Sequence, residues 1–119
     1  MTKSLTNINV LDFSHALSGP FCSMLLAELG AKIIKIEPPH GDHFRPANGG
    51  ATFAVVNRNK RSLCLDLKQP SASIIMERLI SKCDVILENF TPGTMKRLGY
   101  QYEALKKMKP DIIYASISG

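Results

Sequence analysis

Five short apolar runs, separated by stretches with helix signals, constrain the fold of this chain more than any other feature. INVLDFS at 8–14 is followed by the amphipathic run FCSMLLAELGA at 21–31, and then by a second apolar run, KIIKIEP, at 32–38. Strands that alternate with helices indicate βαβ units, whose strands pair in parallel through right-handed crossovers. The pattern predicts an α/β fold: a Rossmann-like partial sheet, mostly parallel, with flanking helices.

Helical spacing predicts an apolar face on each of the two longer helices. These residues are Phe21, Met24, Leu25 and Leu29 in the first helix, and Ile74, Ile75, Met76 and Leu79 in a helix at 70–82. The other elements are assigned from apolar runs and from Pro and Gly. We predict further strands at 62–68, 85–90 and 111–118, further helices at 91–99 and 102–110, and an irregular loop at 40–54.

The composition limits the classes of protein that the chain can represent. Its 119 residues suit a single domain, and a hydrophobic share of 45% supplies a core and argues against disorder. The net charge of +5 fits an anionic small ligand, an acidic partner or weak nucleic-acid contact, without choosing among them. Cys22, Cys64 and Cys83 are far apart and form no CxxC pair, so we expect buried free thiols and no structural zinc.

The sequence shows no targeting or membrane signal. The first residues, MTKSLTNINVLDF, hold no apolar signal core. No apolar run approaches the ~20 residues that a membrane span requires. We therefore predict a cytoplasmic protein without a membrane partner.

A dense group of cations precedes the third predicted strand, in VVNRNKRSLCLDLK at 55–68. Arg58, Lys60 and Arg61, with Asn59 among them, form what we call the cationic segment. Arg grips phosphate through a planar fork and Lys adds a mobile charge, so this segment suits a phosphate-rich ligand. Two alternatives stay open: a solvated strand entry, and nucleic-acid binding, for which nearby aromatic residues other than Phe53 are sparse.

The first strand–turn–helix unit, HALSGPF at 15–21, is a second candidate site. Helix N–H groups and the positive end of the helix dipole favour an anion or nucleotide at such a turn. Glu37 imitates the acidic residue of dinucleotide folds, but G-x-G-x-x-G is absent, which disfavours NAD. A plain βα turn explains the motif equally well. His15 is a candidate general base, whereas H-G-D-H at 40–43 lacks distant ligands and is read as exposed loop rather than a metal site.

ENFTPG at 88–93 ends the fourth predicted strand and is the third candidate site. Asn89 offers an amide, Phe90 a ring face for a flat base, and Arg97 follows Gly93 by one helical turn. An adenine nucleotide site needs such a combination of groups. A helix-start turn capped by Thr91 is the alternative.

These motifs, taken together and in order, resemble class III CoA-transferases of the CaiB/BaiF type. The resemblance rests on LDFSHALSGPFCSMLLAELGAKIIKIEPPHGD, NRNKRSLCLDLK and DVILENFTPGTMKRLGYQYEALKKMKPDIIYASISG, which span nearly the whole chain. The family includes formyl-CoA and carnitine CoA-transferases and alpha-methylacyl-CoA racemase. The resemblance implies coenzyme A as the ligand, a Rossmann-like large domain and an interlocked homodimer. Transferases of the family attack the acyl-CoA thioester with an Asp carboxylate, whereas its racemases use acid and base groups at the alpha carbon.

The resemblance also implies the coenzyme A contacts, position by position. They are Ala16, Leu17 and Ser18 in the first turn, Leu65, Asp66, Leu67 and Lys68 after the third strand, Asn89, Phe90 and Thr91 after the fourth, and Arg97. Lys68 and Arg97 would meet phosphates, and the cationic segment would lie beside the same pocket. Some relatives carry an Arg directly after the Glu of the second strand. Pro38 stands there in this chain, so one phosphate contact is expected to be missing.

The length of family members sets the last expectation. They are several times longer, and their catalytic Asp lies downstream of the segment that matches SISG. We therefore predict that residues 1–119 are the N-terminal, CoA-binding part of the large domain, without a catalytic residue, the catalytic region or the small domain. Asp12, Asp66, Asp84 and Asp111 match other family positions and are not candidates for the nucleophile.

The predicted function of the parent protein is CoA transfer between carboxylic acids, and this chain alone is expected to be inactive with weak CoA binding. The first alternative is a nonenzymatic domain that self-associates. The second alternative is a nucleic-acid binder that uses the cationic segment.

Overall fold

The computed structural model describes residues 2–118, which form a five-stranded sheet in the order β3-β2-β1-β4-β5. The strands are β1 (Asn9–Asp12), β2 (Lys32–Glu37), β3 (Lys60–Cys64), β4 (Val85–Glu88) and β5 (Ile113–Ser116). Each pair of neighbouring strands is parallel. This strand order is that of a Rossmann-type sheet, so the predicted α/β class and partial Rossmann-like sheet are confirmed.

Helices cover both faces of the sheet. They are α1 (Ser18–Glu28), α2 (Ala51–Asn57), α3 (Ala72–Ile80), α4 (Thr94–Leu98) and α5 (Tyr102–Met108). Val10 and Leu87 pack toward α1 on one face, whereas Leu11 and Ile86 pack under α3, α4 and α5 on the other. Successive residues of a strand point to opposite faces, which places neighbours such as Val10 and Leu11 in different cores.

The third strand differs from its predicted bounds. It runs over Lys60–Cys64 instead of 62–68, so the cationic segment enters the strand and residues 65–68 lie beyond it. The ladder stops because β2, its single neighbour, ends at Glu37, opposite Cys64. The alternation of Leu residues continues past this point, but it has no partner strand to pair with.

The loop predicted at 40–54 is partly helical. It contains a 3₁₀ turn, Ala47–Gly50, and the start of α2. The Phe53 ring of α2 packs on a neighbouring cation, with the guanidinium carbon of Arg45 4.2 Å from the ring centroid. Such packing and the contact with α1 stabilise α2. Its seven residues show no helical periodicity, so the sequence pattern did not reveal it.

The apolar face predicted for α1 is wrong at three of its four residues. Met24 is buried, but Phe21, Leu25 and Leu29 are 48%, 47% and 51% exposed. The buried positions of α1 are mostly small, and include Ser23 and Ala27. The helix is apolar on most of its circumference, so spacing alone does not tell which side faces the sheet.

The buried face of α3 is also displaced from the prediction. Ile74 and Ile75 are 60% and 43% exposed, whereas Met76 and Ile80 are fully buried. Leu79 is half-buried at the edge of the same core. Met76 was therefore predicted correctly, and the two isoleucines before it were not.

The three cysteines are free thiols, but the expectation that they are buried holds for one of them. Cys83 is buried, and burial raises the pKa of its thiol to about 11. Cys22 is half-buried and Cys64 is exposed.

Charged side chains, as well as apolar ones, fill the space between the sheet and α1. The Asp12 carboxylate is fully buried at the end of β1, and Lys60 Nζ lies 3.1 Å from its Oδ2 atom. Asp12 also accepts hydrogen bonds from the hydroxyls of Ser14 and Ser23. Lys60 donates further hydrogen bonds to the carbonyl of Pro20 and the side chain of Asn57. The ion pair therefore joins β1 and β3 to the start of α1, through Pro20, and to the end of α2, through Asn57.

A second buried ion pair continues the network along β2. Lys35 Nζ lies 2.9 Å from Asp42 Oδ2 and donates a hydrogen bond of 2.7 Å to the carbonyl of Ser14. Burial alone would raise the pKa of Glu37, but hydrogen bonds from Arg45, Ser62 and the Asp42 N–H lower it to about 2. The network therefore fixes the segment after β2 against the sheet.

We expect Lys60→Ala to lower the free energy of unfolding by about 3–5 kcal/mol, because it leaves the Asp12 carboxylate buried without its cation. Arg58→Ala is the control: its pair with Glu28 is solvent-exposed, and such pairs contribute about 0–1 kcal/mol. Urea unfolding followed by circular dichroism measures both values. Equal losses in the two variants would contradict the structural role of the buried pair.

Candidate functional site

Two adjoining cavities open at the carboxyl ends of the strands, where ligands bind in open α/β sheets. Their volumes are about 200 Å³ and 450 Å³. His15, Pro38, Phe90 and Thr94 line both cavities, so the two form one continuous space. We call it the carboxyl-edge groove.

Most of the predicted contact residues meet at this groove. Leu65, Asp66, Leu67 and Lys68 line the smaller cavity, Ala16, Asn89 and Thr91 line the larger one, and Phe90 lines both. These residues come from three segments that are distant in the sequence. Leu17 and Ser18 follow Ala16 at the start of α1 but do not line the groove, and Leu17 is 55% exposed.

The first turn is held by a side chain of the third segment. Asn89 Oδ1 accepts a hydrogen bond of 2.8 Å from the His15 N–H, and Asn89 Nδ2 donates one of 2.7 Å to the His15 carbonyl. The next residue, Ala16, has a φ of 65°, a left-handed conformation that is costly for a residue with a Cβ. Asn89 therefore positions the turn, and its amide is engaged before any ligand arrives.

Close packing of α1 against this turn requires a glycine. A Cβ atom on Gly19 would lie 2.2 Å from the Cβ atom of Ser14, far inside van der Waals contact. The glycine lets the first turn of α1 approach the end of β1. This approach brings the start of α1 beside the groove.

Aromatic rings form one wall of the groove. The His15 ring lies 5.3 Å from Phe90 and 5.9 Å from His43, and His43 lies 5.5 Å from His40. Sequence reasoning placed His40 and His43 in an exposed loop; they are exposed, and they also line the larger cavity. A periodicity signal could not have found them, because the loop is held beside the groove by side-chain contacts of Lys35 and Glu37 with residues 42–45.

Several further lining residues were missed as site residues. They are Phe13, Ile36, Pro38, Thr94 and Leu98, together with His15, which was considered as a base but not as a contact. Phe13 and Ile36 are the residues at or just beyond the ends of β1 and β2. The rule that ligands bind beyond strand carboxyl ends could have pointed to them.

His15 combines partial burial with a nearby carboxylate. Burial lowers the pKa of its imidazole, while the Asp42 carboxylate, 3.9 Å from Nδ1, opposes that shift. Nδ1 is buried without a hydrogen-bond partner in the described part of the chain. The lowered pKa favours the neutral imidazole, and the ring provides a flat wall with a polar edge.

Two exposed cations lie at or beside the groove, and Arg97 is not one of the lining residues. Lys68 is exposed and lines the smaller cavity. Arg97 is exposed on α4, one turn after Gly93, as predicted, and its Nη2 atom donates a hydrogen bond of 2.9 Å to Thr94. Gly93 has a φ of 86°, and a Cβ there would lie 3.2 Å from Arg97 Nη1. The turn therefore leaves room for the guanidinium next to the groove.

The structure does not bring the cationic segment to this groove. Lys60 is buried in the ion pair with Asp12, and Arg58 pairs with Glu28 at the surface. Asn59 donates to the same Glu28 carboxylate. Arg61 lines a separate cavity near the amino ends of the strands.

The described residues contain neither a metal-ligating cluster nor a membrane-spanning helix. Within 2–118 there is no group of three or more His, Cys, Asp or Glu side chains placed to hold a metal ion. In the same range, no helix is long and apolar enough to cross a membrane.

A five-stranded parallel sheet with flanking helices and a groove at its carboxyl edge defines a Rossmann-type α/β domain. The model of CoA-transferase family III matches residues 5–119, so the chain belongs to that family. It is 44% identical to the formyl-CoA:oxalate CoA-transferase of Bradyrhizobium diazoefficiens and 43% identical to that of Afipia carboxidovorans. The whole chain aligns with 30% of the length of each relative.

Solved structures show the same fold. The Rv3272 protein of Mycobacterium tuberculosis superposes with a TM-score of 0.94 at 38% identity, over 98% of this chain and 33% of that protein. A CaiB/BaiF family protein from Brucella suis gives a TM-score of 0.95 at 33% identity, over 100% of this chain and 34% of its own. The predicted class III membership is confirmed, and the chain spans about a third of these proteins.

We expect Asn89→Ala to lower the free energy of unfolding by about 2 kcal/mol, because both hydrogen bonds to the His15 backbone are lost. Thr91→Ala is the control, since the exposed Thr91 hydroxyl has the Thr94 hydroxyl as its hydrogen-bond partner and its loss should cost less than about 0.5 kcal/mol. Urea unfolding gives the energies, and the amide resonance of Ala16 reports the turn. A similar small loss in both variants would show that Asn89 does not hold the turn.

Proposed function

We propose that this chain is the coenzyme A-binding part of a CoA-transferase that moves CoA between carboxylic acids. The observation that carries the proposal is that Lys68 and Phe90 line one groove, while Arg97 lies beside it and donates a hydrogen bond to the lining residue Thr94. A coenzyme A molecule has an adenine ring, several phosphates and a narrow pantetheine arm. The Phe90 ring suits the base, the two cations suit the phosphates, and the apolar smaller cavity suits the arm.

The remaining lining residues fit this assignment. Leu65 and Leu67 contribute apolar walls next to Lys68 in the smaller cavity. Asp66 accepts hydrogen bonds from the Lys68 N–H and from Gln69, so its carboxylate shapes this turn. Pro38, in place of an arginine, gives the groove an uncharged rim at the end of β2. The cationic segment takes no part in the proposed site.

We propose further that the chain by itself does not transfer CoA. Asp12 is buried with Lys60, Asp84 accepts from the Asn9 N–H, and Asp111 pairs with Lys109. Asp66, which does line the groove, is engaged in its own turn. None of these four carboxylates is a free nucleophile at the groove, which supports assigning the nucleophile to another part of the family's longer chains.

Calorimetric titration of the chain with coenzyme A tests the proposed site. We expect saturable one-to-one binding, and a Kd about tenfold higher in Arg97→Ala and in Lys68→Ala, because each removes a phosphate contact. Arg78→Ala removes the same charge from the exposed side of α3, away from the groove, and should leave the Kd unchanged. The proposal fails if folded chain does not bind, or if all three variants weaken binding equally.

The claim about turnover has its own measurement. The chain is mixed with formyl-CoA and oxalate, the pair acted on by its relatives according to their names, and oxalyl-CoA is followed by chromatography. We expect no product above the rate without protein. Steady turnover that tracks the purified chain would contradict the claim without affecting the binding site.

Self-association is a second candidate function, and one feature of α1 supports it. Leu17, Phe21, Leu25 and Leu29 recur every four residues and are all about half exposed; we call them the α1 stripe. Glu28 is the single charged residue in α1. Because each copy carries a net charge of +5, two copies repel least where such an uncharged surface meets its own kind. We propose that the α1 stripe pairs with the α1 stripe of a second copy.

Light scattering across a range of protein concentrations tests this pairing. We expect a concentration-dependent dimer, which the double variant Phe21→Ser/Leu25→Ser shifts to monomer by at least tenfold in Kd. Ile74→Ser/Ile75→Ser is the matched control, since it removes equally exposed apolar residues from α3. A monomer at every concentration, or equal dissociation in both variants, would exclude the α1 stripe as the interface.

A further inference from the structure

A third cavity lies at the opposite end of the sheet from the carboxyl-edge groove. Its volume is about 580 Å³, within the range of small-molecule sites. It is lined by the first residues of β1 and β2, the start of β3 and the carboxyl end of α3. We call it the amino-edge cavity. Its lining shares no residue with the groove, so it is a separate feature of the molecule.

Cations without counter-charges line this cavity. Lys32 belongs to β2, Arg61 to β3 and Lys82 to the turn after α3, and no Asp or Glu of residues 2–118 lines the cavity with them. None of the three has a carboxylate within ion-pair distance in this range, in contrast to Arg58 and Lys60. All three side chains are exposed, so water screens their mutual repulsion, while an anion between them would be attracted to each.

The floor of the same cavity is apolar. Leu11 is buried below it on the α3 side of the sheet, and the half-buried side chains of Ile34 and Leu79 form its open walls. Such a floor favours an aliphatic body, and does not suit a fully hydrated ion such as inorganic phosphate. The combination of an apolar floor and a cationic rim selects ligands that have both characters.

Strand alternation explains why the cationic segment contributes to this cavity. Lys60 and Arg61 are neighbours in β3, so their side chains point to opposite faces of the sheet. Lys60 faces α1 and is neutralised by Asp12, whereas Arg61 faces the α3 side and stays unpaired. The density of cations in the sequence thus reflects two separate tasks, one structural and one available for a ligand.

We propose that the amino-edge cavity binds an amphipathic organic anion, a carboxylate with a linear apolar chain. The carboxylate lies among Lys32, Arg61 and Lys82, and the chain lies against Ile34 and Leu79. Neither coenzyme A binding at the groove nor self-association through the α1 stripe is needed for this site. It would let the chain respond to a free carboxylic acid at a distance from the groove.

Titration of the ¹⁵N-labelled chain with sodium octanoate, below its micellar concentration, tests the proposal. Saturable shifts are expected in the amide resonances of Ile33, Ile34 and Leu79. The neutral analogue 1-octanol, which has the same chain, should bind at least tenfold more weakly. Sodium acetate, which lacks the chain, should also bind at least tenfold more weakly.

Variants test the cationic rim directly. Arg61→Gln and Lys82→Gln should each raise the Kd for octanoate about tenfold, while Lys107→Gln, an equal charge change on exposed α5, should leave it unchanged. The dispersed spectrum of each variant shows whether it is folded, and the shifts of the unaltered chain locate the site independently. Shifts confined to the groove or to the α1 stripe, equal binding of 1-octanol, or an unchanged Kd in both rim variants would each overturn the proposal.

Discussion

The buried ion pair between Asp12 and Lys60 is the contact on which the rest of this structure depends. It places two opposite charges in the buried space between the sheet and α1. A lone charge at this depth would cost several kcal/mol, so each partner requires the other. The hydroxyls of Ser14 and Ser23 and the side chain of Asn57 complete the hydrogen bonding, which makes the pair a junction of β1, β3, α1 and α2.

The carboxyl-edge groove is built on this junction. Ser14 hydrogen-bonds to Asp12, and its carbonyl accepts a hydrogen bond from Lys35. Lys35 also pairs with Asp42, which holds the loop that carries His40 and His43 beside the groove. From the other side, Asn89 grips the backbone of His15 and fixes the left-handed turn at Ala16. The groove is thus shaped by side chains that are already hydrogen-bonded before a ligand binds. Such preorganisation lowers the ordering cost of binding, which suits a long, flexible ligand such as coenzyme A.

The two edges of the sheet have different chemical characters. At the carboxyl edge, turns and loops bring together aromatic rings, the amide of Asn89 and the exposed Lys68, with Arg97 beside them. At the amino edge, the strand starts and the end of α3 leave an apolar floor ringed by cations that have no ion-pair partner within residues 2–118. Parallel strands produce this division because all their carboxyl ends lie at one edge and all their amino ends at the other.

The sequence by itself determined the α/β class, the parallel pairing of the strands and the family. Alternation of strands with helices and the motifs after each strand are local properties of the chain. It also marked Leu65–Lys68 and Asn89–Thr91, since residues that follow parallel strands must meet at one edge. Only the tertiary structure decided the rest. The end of β3 at Cys64 is set by the end of β2, its neighbour in the sheet. The side of α1 that is exposed is set by which of its apolar residues pack against the sheet. Strand alternation places Lys60 and Arg61 on opposite faces of β3. The tertiary structure decides that Lys60 meets a carboxylate, that of Asp12, which lies 48 residues away in sequence.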